Sequence, residues 1–276
     1  MSNPRELLAT AGLRPRKRYG QNFLVDTTAA RRIAQCCLEG APGHLPVLEI
    51  GAGTGTLTLA LLQCGAALTA IEIDPGLVDV LRSRPDLADA KIVEADALTF
   101  DYDAWSQDRR WRVAGNLPYN IATPLIMRLI EMDRGPESLT VMVQKDVAQR
   151  FGAAPATAAY GSLSVAVQFA MNVESAFTLP PRAFYPVPKV DSTVVRLTRR
   201  AAPAVRVRDI GLFWKVVRGA FAYRRKTLPN TLALALGLER AGIVRALELC
   251  NLSPELRGER LALGDFARLA DALAEG

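Results

Sequence analysis

Short apolar runs alternate with helical patterns along the first half of the chain, and this alternation restricts the fold more than any other feature. Five runs have the length and composition of strands: LPVLEI (45–50), ALTAIEI (67–73), KIVEAD (91–96), WRVAGN (111–116) and SLTVMVQ (138–144). The segments between them have helical patterns, as in PGLVDVLRSR. Strands that alternate with helices predict βαβ units and a parallel sheet. Continuous apolar strands predict a sheet that is covered on both faces.

The pattern changes after residue 150. SVAVQFAMNVESAFTLP and STVVRLTRR have the pattern of a sheet edge that is partly antiparallel, and AAPAVRVRD (201–209) has the composition of a linker. Two amphipathic helical segments follow, WKVVRGAFAYRRKTLPNTLALAL and ERLALGDFARLADALAE. The sequence therefore predicts a doubly wound, Rossmann-like α/β domain over residues 1–200 and a small helical domain over residues 201–276.

The composition excludes several classes of protein. Half of the 276 residues are apolar and the formal net charge is +6, so we expect a sizeable core and an anionic partner such as nucleic acid or a membrane surface. The four cysteines form no CxxC pair and His44 is the single histidine, which argues against a metal site and against histidine-based catalysis. The adjacent Cys36 and Cys37 are expected to pack on a helix as reduced thiols, as in a cytoplasmic protein.

Neither a membrane span nor a secretory signal is expected. The longest apolar stretch, LTLALLQCGAALTAI (57–71), is short and is interrupted by Gln63 and Gly65. It therefore predicts a buried helix that runs into a strand. An apolar segment of the kind found in signal peptides does not follow Met1.

Three glycines follow the first predicted strand in VLEIGAGTGTL. Gly51, Gly53 and Gly55 would allow the backbone to turn tightly and to approach a ligand without an intervening Cβ. A glycine loop alone is a weak signal because dinucleotide dehydrogenases share it. The spacing here is GxGxG, however, and Glu49 lies two residues before the first glycine. A carboxylate at that position suits a cationic cofactor better than it suits a pyrophosphate.

Acidic side chains also end the next two predicted strands. Glu72 lies about twenty residues further on, where a carboxylate accepts hydrogen bonds from ribose hydroxyls, and Asp96 could receive the amino group of an adenine. An α/β domain with incidental acids explains each residue singly, but it does not explain acids at successive strand ends. Together with Glu49 and the glycine loop, these acids favour S-adenosylmethionine over NAD.

The stretch NLPYNIATP (116–124) follows the fourth predicted strand. Pro118 prevents helix formation and restricts Leu117 to extended geometry, so Asn116 and Tyr119 should be displayed on a rigid corner. Ligands bind at the carboxyl edge of doubly wound sheets, and Asn116 should therefore face the same crevice as the acids. An amide beside a methyl donor can hold the amino group of a base on which Tyr119 stacks. A turn with a half-buried tyrosine is the alternative.

These residues, together with others in the same order, resemble the ribosomal RNA adenine N6,N6-dimethyltransferases. The motifs are RKRYGQNFL (16–24), LEIGAGTGTLT (48–58), IEID (71–74), EADAL (94–98), GNLPYNIATPL (115–125), VMVQKDVAQR (141–150), YGSLSV (160–165) and FYPVPKVDSTVVRL (184–197). NLPY is typical of methyltransferases that act on exocyclic amines, while QNFL and FYPVPKVDS are typical of the rRNA branch. The resemblance implies an S-adenosylmethionine-dependent methyltransferase domain followed by a helical RNA-binding domain.

The resemblance also implies roles for individual residues. It implies cofactor contacts by Asn22, Leu24, Gly51, Glu72, Asp96 and Asn116, and target-base contacts by Asn116, Leu117, Tyr119 and Phe184. The Asn116 side-chain oxygen and the Leu117 carbonyl would accept from the target amine, while Tyr119 and Phe184 would enclose the base. On this basis Tyr119→Phe should be mild, because stacking needs the ring and not the hydroxyl.

The implied substrate is small-subunit rRNA in the pre-30S ribosomal particle, with two adjacent adenosines near the 3′ end of 16S rRNA as targets. The implied enzyme is a cytoplasmic monomer that uses neither a metal nor a membrane. Three alternatives stay open. The same chemistry could act on DNA adenine or on large-subunit rRNA, and the protein could be a ribosome-assembly factor in which binding matters more than methylation. A nicotinamide oxidoreductase is a remote third alternative, since residues for a hydride relay are absent.

Basic residues predict contacts with RNA phosphates. One block precedes the QNF motif and consists of Arg14, Arg16, Lys17 and Arg18. The second consists of Arg196, Arg199, Arg200, Arg206, Arg208, Lys215, Arg218, Arg224, Arg225 and Lys226, against Asp209 alone. Charge runs are usually solvated faces, but two basic blocks beside an adenine pocket favour phosphate contacts. An organelle-targeting role for RPRKR is the weaker reading.

Overall fold

The computed structural model describes residues 3–40, 45–223 and 225–274. Contacts divide the chain into two compact units. The first unit comprises Met1–Ala148 and Val173–Arg199, and the second comprises Gln149–Asn172 and Arg200–Gly276. The sequence places a boundary at residue 200, where the units also divide, but it assigns residues 149–172 to the first domain. That either unit folds as a domain of its own stays a prediction.

The described residues form twelve α-helices and nine β-strands. The helices are α1 (Pro4–Thr10), α2 (Thr27–Leu38), α3 (Thr56–Gln63), α4 (Pro75–Arg82), α5 (Tyr102–Ser106), α6 (Ala122–Glu131), α7 (Lys145–Phe151), α8 (Ser162–Ala170), α9 (Ile210–Phe221), α10 (Leu228–Leu236), α11 (Arg240–Leu249) and α12 (Leu263–Ala274). The strands are β1 (Phe23–Leu24), β2 (Val47–Ile50), β3 (Leu68–Glu72), β4 (Lys91–Glu94), β5 (Arg112–Asn116), β6 (Ser138–Gln144), β7 (Met171–Leu179), β8 (Phe184–Tyr185) and β9 (Ser192–Arg199). The five predicted strands are confirmed as β2 to β6.

Seven of the described strands form one sheet in the order β4-β3-β2-β5-β6-β9-β7. Strands β2 to β6 pair in parallel, as the alternating pattern predicts, and β9 pairs antiparallel with β6. Since β2 lies between β3 and β5, the chain reverses its direction of travel across the sheet at that point. The carboxyl ends of β2 and β5 therefore open the crevice in which doubly wound sheets bind ligands.

Aspartates cap the N-termini of four of the described helices, and α2 and α9 are two examples. The side chain of Asp26 accepts a hydrogen bond from the Ala29 amide at 2.9 Å at the start of α2. Asp209 does the same for the Leu212 amide at 2.9 Å at the start of α9. The first amides of a helix have no partner within it, so each carboxylate satisfies one of them. These caps fix where α2 and α9 begin.

The prediction of a strand over SVAVQFA was wrong, because Ser162–Ala170 forms helix α8 and the strand begins at Met171. Most of the side chains of α8 are buried, so its sequence lacks the polar face that would reveal a helical period. The rings of Phe169 in α8 and Phe213 in α9 stack with their centroids 4.6 Å apart. This packing explains why residues 149–172 belong to the helical unit.

The apolar stretch over residues 57–71 follows the predicted path. It forms the buried helix α3 and then enters β3. The short helix is apolar nearly all round because it is covered by the sheet on one side and by α2 on the other. Among the helices in the described ranges, none combines the length and the apolar character that crossing a membrane requires.

Candidate active site

A cavity of about 310 Å³ lies in the first unit at the carboxyl ends of β2, β3, β4 and β5. Its lining includes every site residue that the sequence predicts except one: Asn22, Leu24, Gly51, Glu72, Asp96, Asn116, Leu117 and Tyr119. Phe184 is the exception. The doubly wound topology accounts for this convergence, since parallel strands deliver their final residues to one edge of the sheet.

The glycine loop forms the floor between β2 and α3. Gly51, Gly53 and Gly55 have φ angles of +75°, +59° and +83°, a region that residues with a Cβ rarely adopt. A Cβ on Gly53 would also lie 3.0 Å from the ring of Phe23, and one on Gly55 would lie 2.8 Å from a methyl of Leu87. Glycine is therefore required here both by backbone conformation and by space, and the loop leaves its backbone open to a ligand.

Glu72 ends β3 with its carboxylate fixed by backbone amides. Its Oε2 accepts from the Gly53 amide at 2.8 Å, and its Oε1 accepts from the amides of Ile73 and Asp74 at 2.9 and 3.0 Å. Burial raises the pKa of Glu72, and these three donors oppose the shift. A carboxylate has about four acceptor positions, so Oε2 keeps capacity for a ribose hydroxyl.

Glu49 in β2 is 1% exposed. Its Oε2 has no hydrogen-bond partner among the described residues. The pKa of Glu49 is raised to about 8, mainly by burial and in part by the nearby charge of Glu72. A buried carboxyl with a free oxygen in the lining of the cavity is costly unless a ligand pairs with it. The site therefore fits a cationic group, as the sequence predicts.

Asp96 lies just beyond the end of β4, on a loop that the rest of the fold holds in place. Its Oδ1 accepts from the Leu98 amide at 2.8 Å. Arg128 of α6 donates to the carbonyls of Ala97 and Phe100 at 3.0 and 2.8 Å. Since one carboxylate oxygen is used by the loop itself, Oδ2 is the atom that can receive the amino group of an adenine.

The segment that carries Asn22 and Leu24 is clamped to α4 through a buried aspartate that sequence reasoning missed. The Arg16 guanidinium lies 3.1 Å from Asp74 Oδ1, and Gln21 Nε2 donates to Asp74 Oδ2 at 3.1 Å. Asp74 is the last residue of the IEID motif, and its position in that motif is the one sequence feature that could have indicated its role. Arg16 is thus an intramolecular ion-pair partner whose side chain is still 40% exposed, and its contact with a phosphate stays a prediction.

Asn116 ends β5 with its amide oriented by a residue far away in sequence. Its Nδ2 donates to the carbonyl oxygen of Asn22 at 2.7 Å. A carbonyl can only accept, so the nitrogen of the amide is the atom on that side and the oxygen is on the other. No described residue donates to Oδ1. The arrangement leaves an acceptor free in the cavity, as a site for an exocyclic amine requires.

The next residues form the rigid corner that Pro118 predicts. Leu117 is 1% exposed and its amide donates to the Met142 carbonyl at 3.1 Å. Tyr119 is half-buried, and its hydroxyl lies 3.2 Å from Ser192 Oγ in a hydrogen bond. The sequence predicts a use for the ring alone, so this contact of the hydroxyl is an addition to that prediction.

Phe184 does not line the cavity in this structure. It is 2% exposed and packs in a hydrophobic cluster with Met142 and Val194. Strand β8 pairs antiparallel with β1, so that Phe184 lies opposite Leu24. This pairing turns the ring into the core and makes it a support for the segment that carries Leu24. Tyr119 and Phe184 therefore form no sandwich here, and we do not carry the stacking role of Phe184 forward.

Comparison with known proteins places the chain among enzymes of one kind. The family model described as ribosomal RNA adenine dimethylase matches residues 12–256. The chain belongs to this family. It is 41% identical to the ribosomal RNA small subunit methyltransferase A of Streptococcus mutans over 98% of this chain and 96% of that protein. It is 43% identical to the protein of that name from Magnetococcus marinus, over 96% and 94%.

Solved structures of other methyltransferases share the fold. The 23S rRNA methyltransferase ErmE is 28% identical and matches with a TM-score of 0.62 over 92% of this chain and 100% of that chain. A dimethyladenosine transferase from Plasmodium falciparum has the same fold, with a TM-score of 0.68, 24% identity and coverage of 90% and 96%. This dimethylase family member is an S-adenosylmethionine-dependent methyltransferase, and the glycine cradle and the unpaired Glu49 fit that cofactor.

Several basic residues of this dimethylase family member are structural, which corrects part of the predicted RNA surface. Arg196 donates to the Glu39 carbonyl at 2.8 Å, and Arg200 donates to the Met171 carbonyl at 3.1 Å. Arg199 donates to the carbonyls of Leu129 and Pro136, and burial lowers its pKa. Of these three, Arg196 and Arg199 are partly buried and Arg200 is exposed. Sequence alone could not separate the two partly buried arginines from the exposed cations of the second block, which also include Arg206, Arg208, Lys215, Arg218, Arg225 and Lys226. Arg224 and His44 lie outside the described residues.

Proposed function

We propose that this family member transfers two methyl groups to N6 of each of two adjacent adenosines near the 3′ end of small-subunit rRNA. The observation that carries the proposal is the orientation of Asn116, whose Nδ2 is bound to Asn22 while its Oδ1 is free in the cavity. An oxygen acceptor fixed in advance at that position suits an amino group. An amino group has two hydrogens that it can donate to two acceptors, Asn116 Oδ1 and the Leu117 carbonyl, whereas a hydroxyl or a thiol has one.

Methylation of this amine requires orientation of the N6 nitrogen more than removal of a proton. The lone pair of adenine N6 is delocalised into the ring, and bound S-adenosylmethionine supplies an electrophilic methyl group. Asn116 Oδ1 and the Leu117 carbonyl would accept hydrogen bonds from the two N6–H groups and hold the nitrogen in line with the methyl. The same oxygens would stabilise the positive charge that develops on N6. A side-chain base is not required for this step.

The cofactor would be held by residues that the structure brings to one edge of the sheet. Glu72 would accept from the ribose hydroxyls, and Asp96 Oδ2 would accept from the adenine amino group. Glu49 would face the cationic end of the cofactor. The glycine loop with Gly51, together with Asn22 and Leu24 from the clamped segment, would complete the walls. Asn116 borders both this part of the cavity and the part for the target base.

Tyr119 would stack on the target adenine once that base has left its place in the RNA. Base-modifying enzymes extrude the target nucleotide and hold it by stacking and by contacts at its edge. The second transfer requires that the monomethylated amine still fits beside Asn116. Exposed cations of residues 201–276, such as Arg225 and Lys226, would contact phosphates and make this segment an RNA-binding domain.

We further propose that the substrate is the pre-30S particle and that the enzyme acts as a cytoplasmic monomer. The names of the relatives, which are small-subunit methyltransferases, support the first part of this proposal. The similarity to ErmE, named as a 23S rRNA methyltransferase, supports large-subunit rRNA as the second candidate substrate. DNA adenine and a role in assembly in which binding matters more than methylation are further alternatives.

Methyl transfer to purified nucleic acids tests the proposal. Small subunits, large subunits and DNA from cells that lack the protein would be incubated with labelled S-adenosylmethionine, and the products would be digested to nucleosides for mass spectrometry. We expect N6,N6-dimethyladenosine in small-subunit rRNA only. Label confined to large subunits or DNA would overturn the substrate, and a catalytically inactive variant that restores subunit maturation in cells would favour the assembly role.

A further inference from the structure

The hydroxyl of Tyr119 has a partner that the predicted mechanism does not use. Tyr119 Oη and Ser192 Oγ lie 3.2 Å apart, and either can be the donor. Ser192 is fully buried. The two residues are 73 positions apart in sequence, so the contact is a tertiary one that ties the NLPY corner to a distant strand.

The sheet topology explains how Ser192 reaches the site. It is the first residue of β9, which runs antiparallel to β6 and pairs Ser192 with Gln144, the last residue of β6. An antiparallel strand begins at the edge where its parallel neighbours end. Strand β9 therefore delivers its first side chain to the same edge at which β5 delivers Asn116, although its own carboxyl end lies at the opposite edge.

The contact limits how the Tyr119 ring can move. A tyrosine side chain on a loop has freedom about two torsion angles, and a hydrogen bond from the far end of the ring to a buried strand residue removes much of it. Burial raises the pKa of Tyr119, so the hydroxyl stays protonated at neutral pH and the hydrogen bond persists. Pro118 fixes the backbone at one end of the side chain and Ser192 fixes the other end.

We propose that Ser192 is a positioning residue for the target adenosine: it holds the Tyr119 ring in the plane on which the base stacks, so that N6 reaches Asn116 Oδ1. This proposal rests on the proposed function. Small errors in the placement of reacting groups cost rate far more than affinity. The effect should therefore appear in the rate at saturating substrate, whereas a merely structural role would appear in stability.

A double-mutant cycle tests the proposal with Ser192→Ala, Tyr119→Phe and the combined variant. Single-turnover methylation would be measured at saturating cofactor over a range of nucleic-acid concentrations. We expect each single variant to lose about tenfold in maximal rate, with less than about a twofold change in the half-saturating concentration because phosphate contacts supply most of the affinity. For Tyr119→Phe this replaces the mild effect that the sequence predicts from the ring alone, because the hydroxyl contacts Ser192. The combined variant should lose about tenfold and not about a hundredfold, since both changes remove one interaction.

Ser138→Ala is the matched control. Ser138 is a buried serine at the other end of β6, and its Oγ has no hydrogen-bond partner among the described residues. Calorimetric binding of S-adenosylmethionine confirms that each variant is folded. A Ser192→Ala rate equal to that of Ser138→Ala would overturn the proposal, and so would losses that multiply in the combined variant.

Methylation by the wild-type protein distinguishes a failure of the proposed substrate from a failure of the proposed role of Ser192. If the wild type methylates large subunits or DNA and not small subunits, the proposed substrate is wrong. The same cycle, run on whichever nucleic acid the wild type accepts, still decides the role of Ser192. Coupling between Tyr119 and Ser192 on that substrate supports the positioning role, and independent losses refute it.

Discussion

The two halves of the cavity hold their functional side chains in different ways. In the cofactor half, at the ends of β2, β3 and β4, backbone amides close by in sequence or on the glycine loop hold Glu72 and Asp96. In the base half, at the ends of β5 and β6 and the start of β9, Asn116 is held by Asn22 and Tyr119 by Ser192. Those partners are 94 and 73 residues away.

This difference indicates different tasks. Carboxylates fixed by local backbone donors survive small shifts of distant elements, which suits the binding of a cofactor. An amide and a ring that depend on remote partners have the right orientation only when the whole unit is folded. The base half should therefore govern the rate of transfer, and the cofactor half should govern affinity for S-adenosylmethionine.

The largest effect is expected for Asn116→Ala. Removing an oriented acceptor that acts more strongly in the transition state than in the ground state should lower single-turnover methylation by about a hundredfold or more. RNA affinity should change little, because phosphate contacts supply most of it. Asn172→Ala, at an exposed position of β7, is the control and should have the wild-type rate.

The second prediction concerns the buried carboxyl of the cofactor half. Because the pKa of Glu49 is raised to about 8 in the folded protein, the folded state keeps a proton that the unfolded chain releases near the ordinary value of 4.5. Without cofactor, the contribution of Glu49 to the free energy of unfolding should be largest below that ordinary value and should fall as the pH rises to about 8, with a limiting slope of about 1.4 kcal/mol per pH unit.

Glu49→Gln should reduce this slope. It should not abolish it, because burial also raises the pKa of Glu72, which contributes in the same direction. Urea unfolding of both proteins over the range from pH 5 to about 8 measures the effect. An unchanged slope in the variant would show that Glu49 is ionised in the folded protein, contrary to the pKa that its burial raises.

A smaller effect is expected for Glu72→Ala, which removes a charged acceptor from the ribose. We expect the affinity for S-adenosylmethionine to fall by about tenfold or more, as measured by calorimetric titration. Glu94→Ala is a suitable control, because Glu94 ends the neighbouring strand β4 but is exposed and does not line the cavity. Equal affinities for these two variants would remove Glu72 from the cofactor half.

The smallest effect at a fixed salt concentration is expected outside the cavity, where exposed cations would contribute to RNA affinity. Neutralising Arg225 and Lys226 with glutamine should reduce the slope of log affinity for RNA against log salt by between about one and about two. Affinity for S-adenosylmethionine should stay the same. The control is the pair Arg31→Gln and Lys91→Gln, which are exposed cations of the first unit. If both pairs change the slope equally, residues 201–276 are not a dedicated RNA surface.

Local features of the fold and of the cofactor half could be predicted from the sequence. Strand β6 was predicted with both ends correct because its apolar run is bounded by polar residues, and the glycine loop was predicted because backbone geometry demands glycine there. Each of these signals is contained in a few consecutive residues. The fold class followed from the order of such signals along the chain.

Features that depend on remote partners could not be predicted in the same way. The buried position of Phe184 depends on the pairing of β8 with β1, and the partner of the Tyr119 hydroxyl depends on the direction of β9. Arg199 has the sequence context of an RNA-binding arginine, yet it serves backbone carbonyls in the first unit. A charge pattern shows how many cations a segment contains. It does not show which of them are bound by tertiary contacts within the protein.

One pair of measurements on two variants tests the division of the cavity most directly. Glu72→Ala and Asn116→Ala would each be assayed for affinity for S-adenosylmethionine by calorimetry and for single-turnover methylation of small subunits at saturating cofactor. We predict that Glu72→Ala loses about tenfold or more in affinity but recovers most of the wild-type rate at saturation. Asn116→Ala should lose less than about tenfold in affinity and about a hundredfold or more in rate. If Asn116→Ala has nearly the wild-type rate at saturating cofactor, NLPY is a structural turn and the proposed mechanism is wrong.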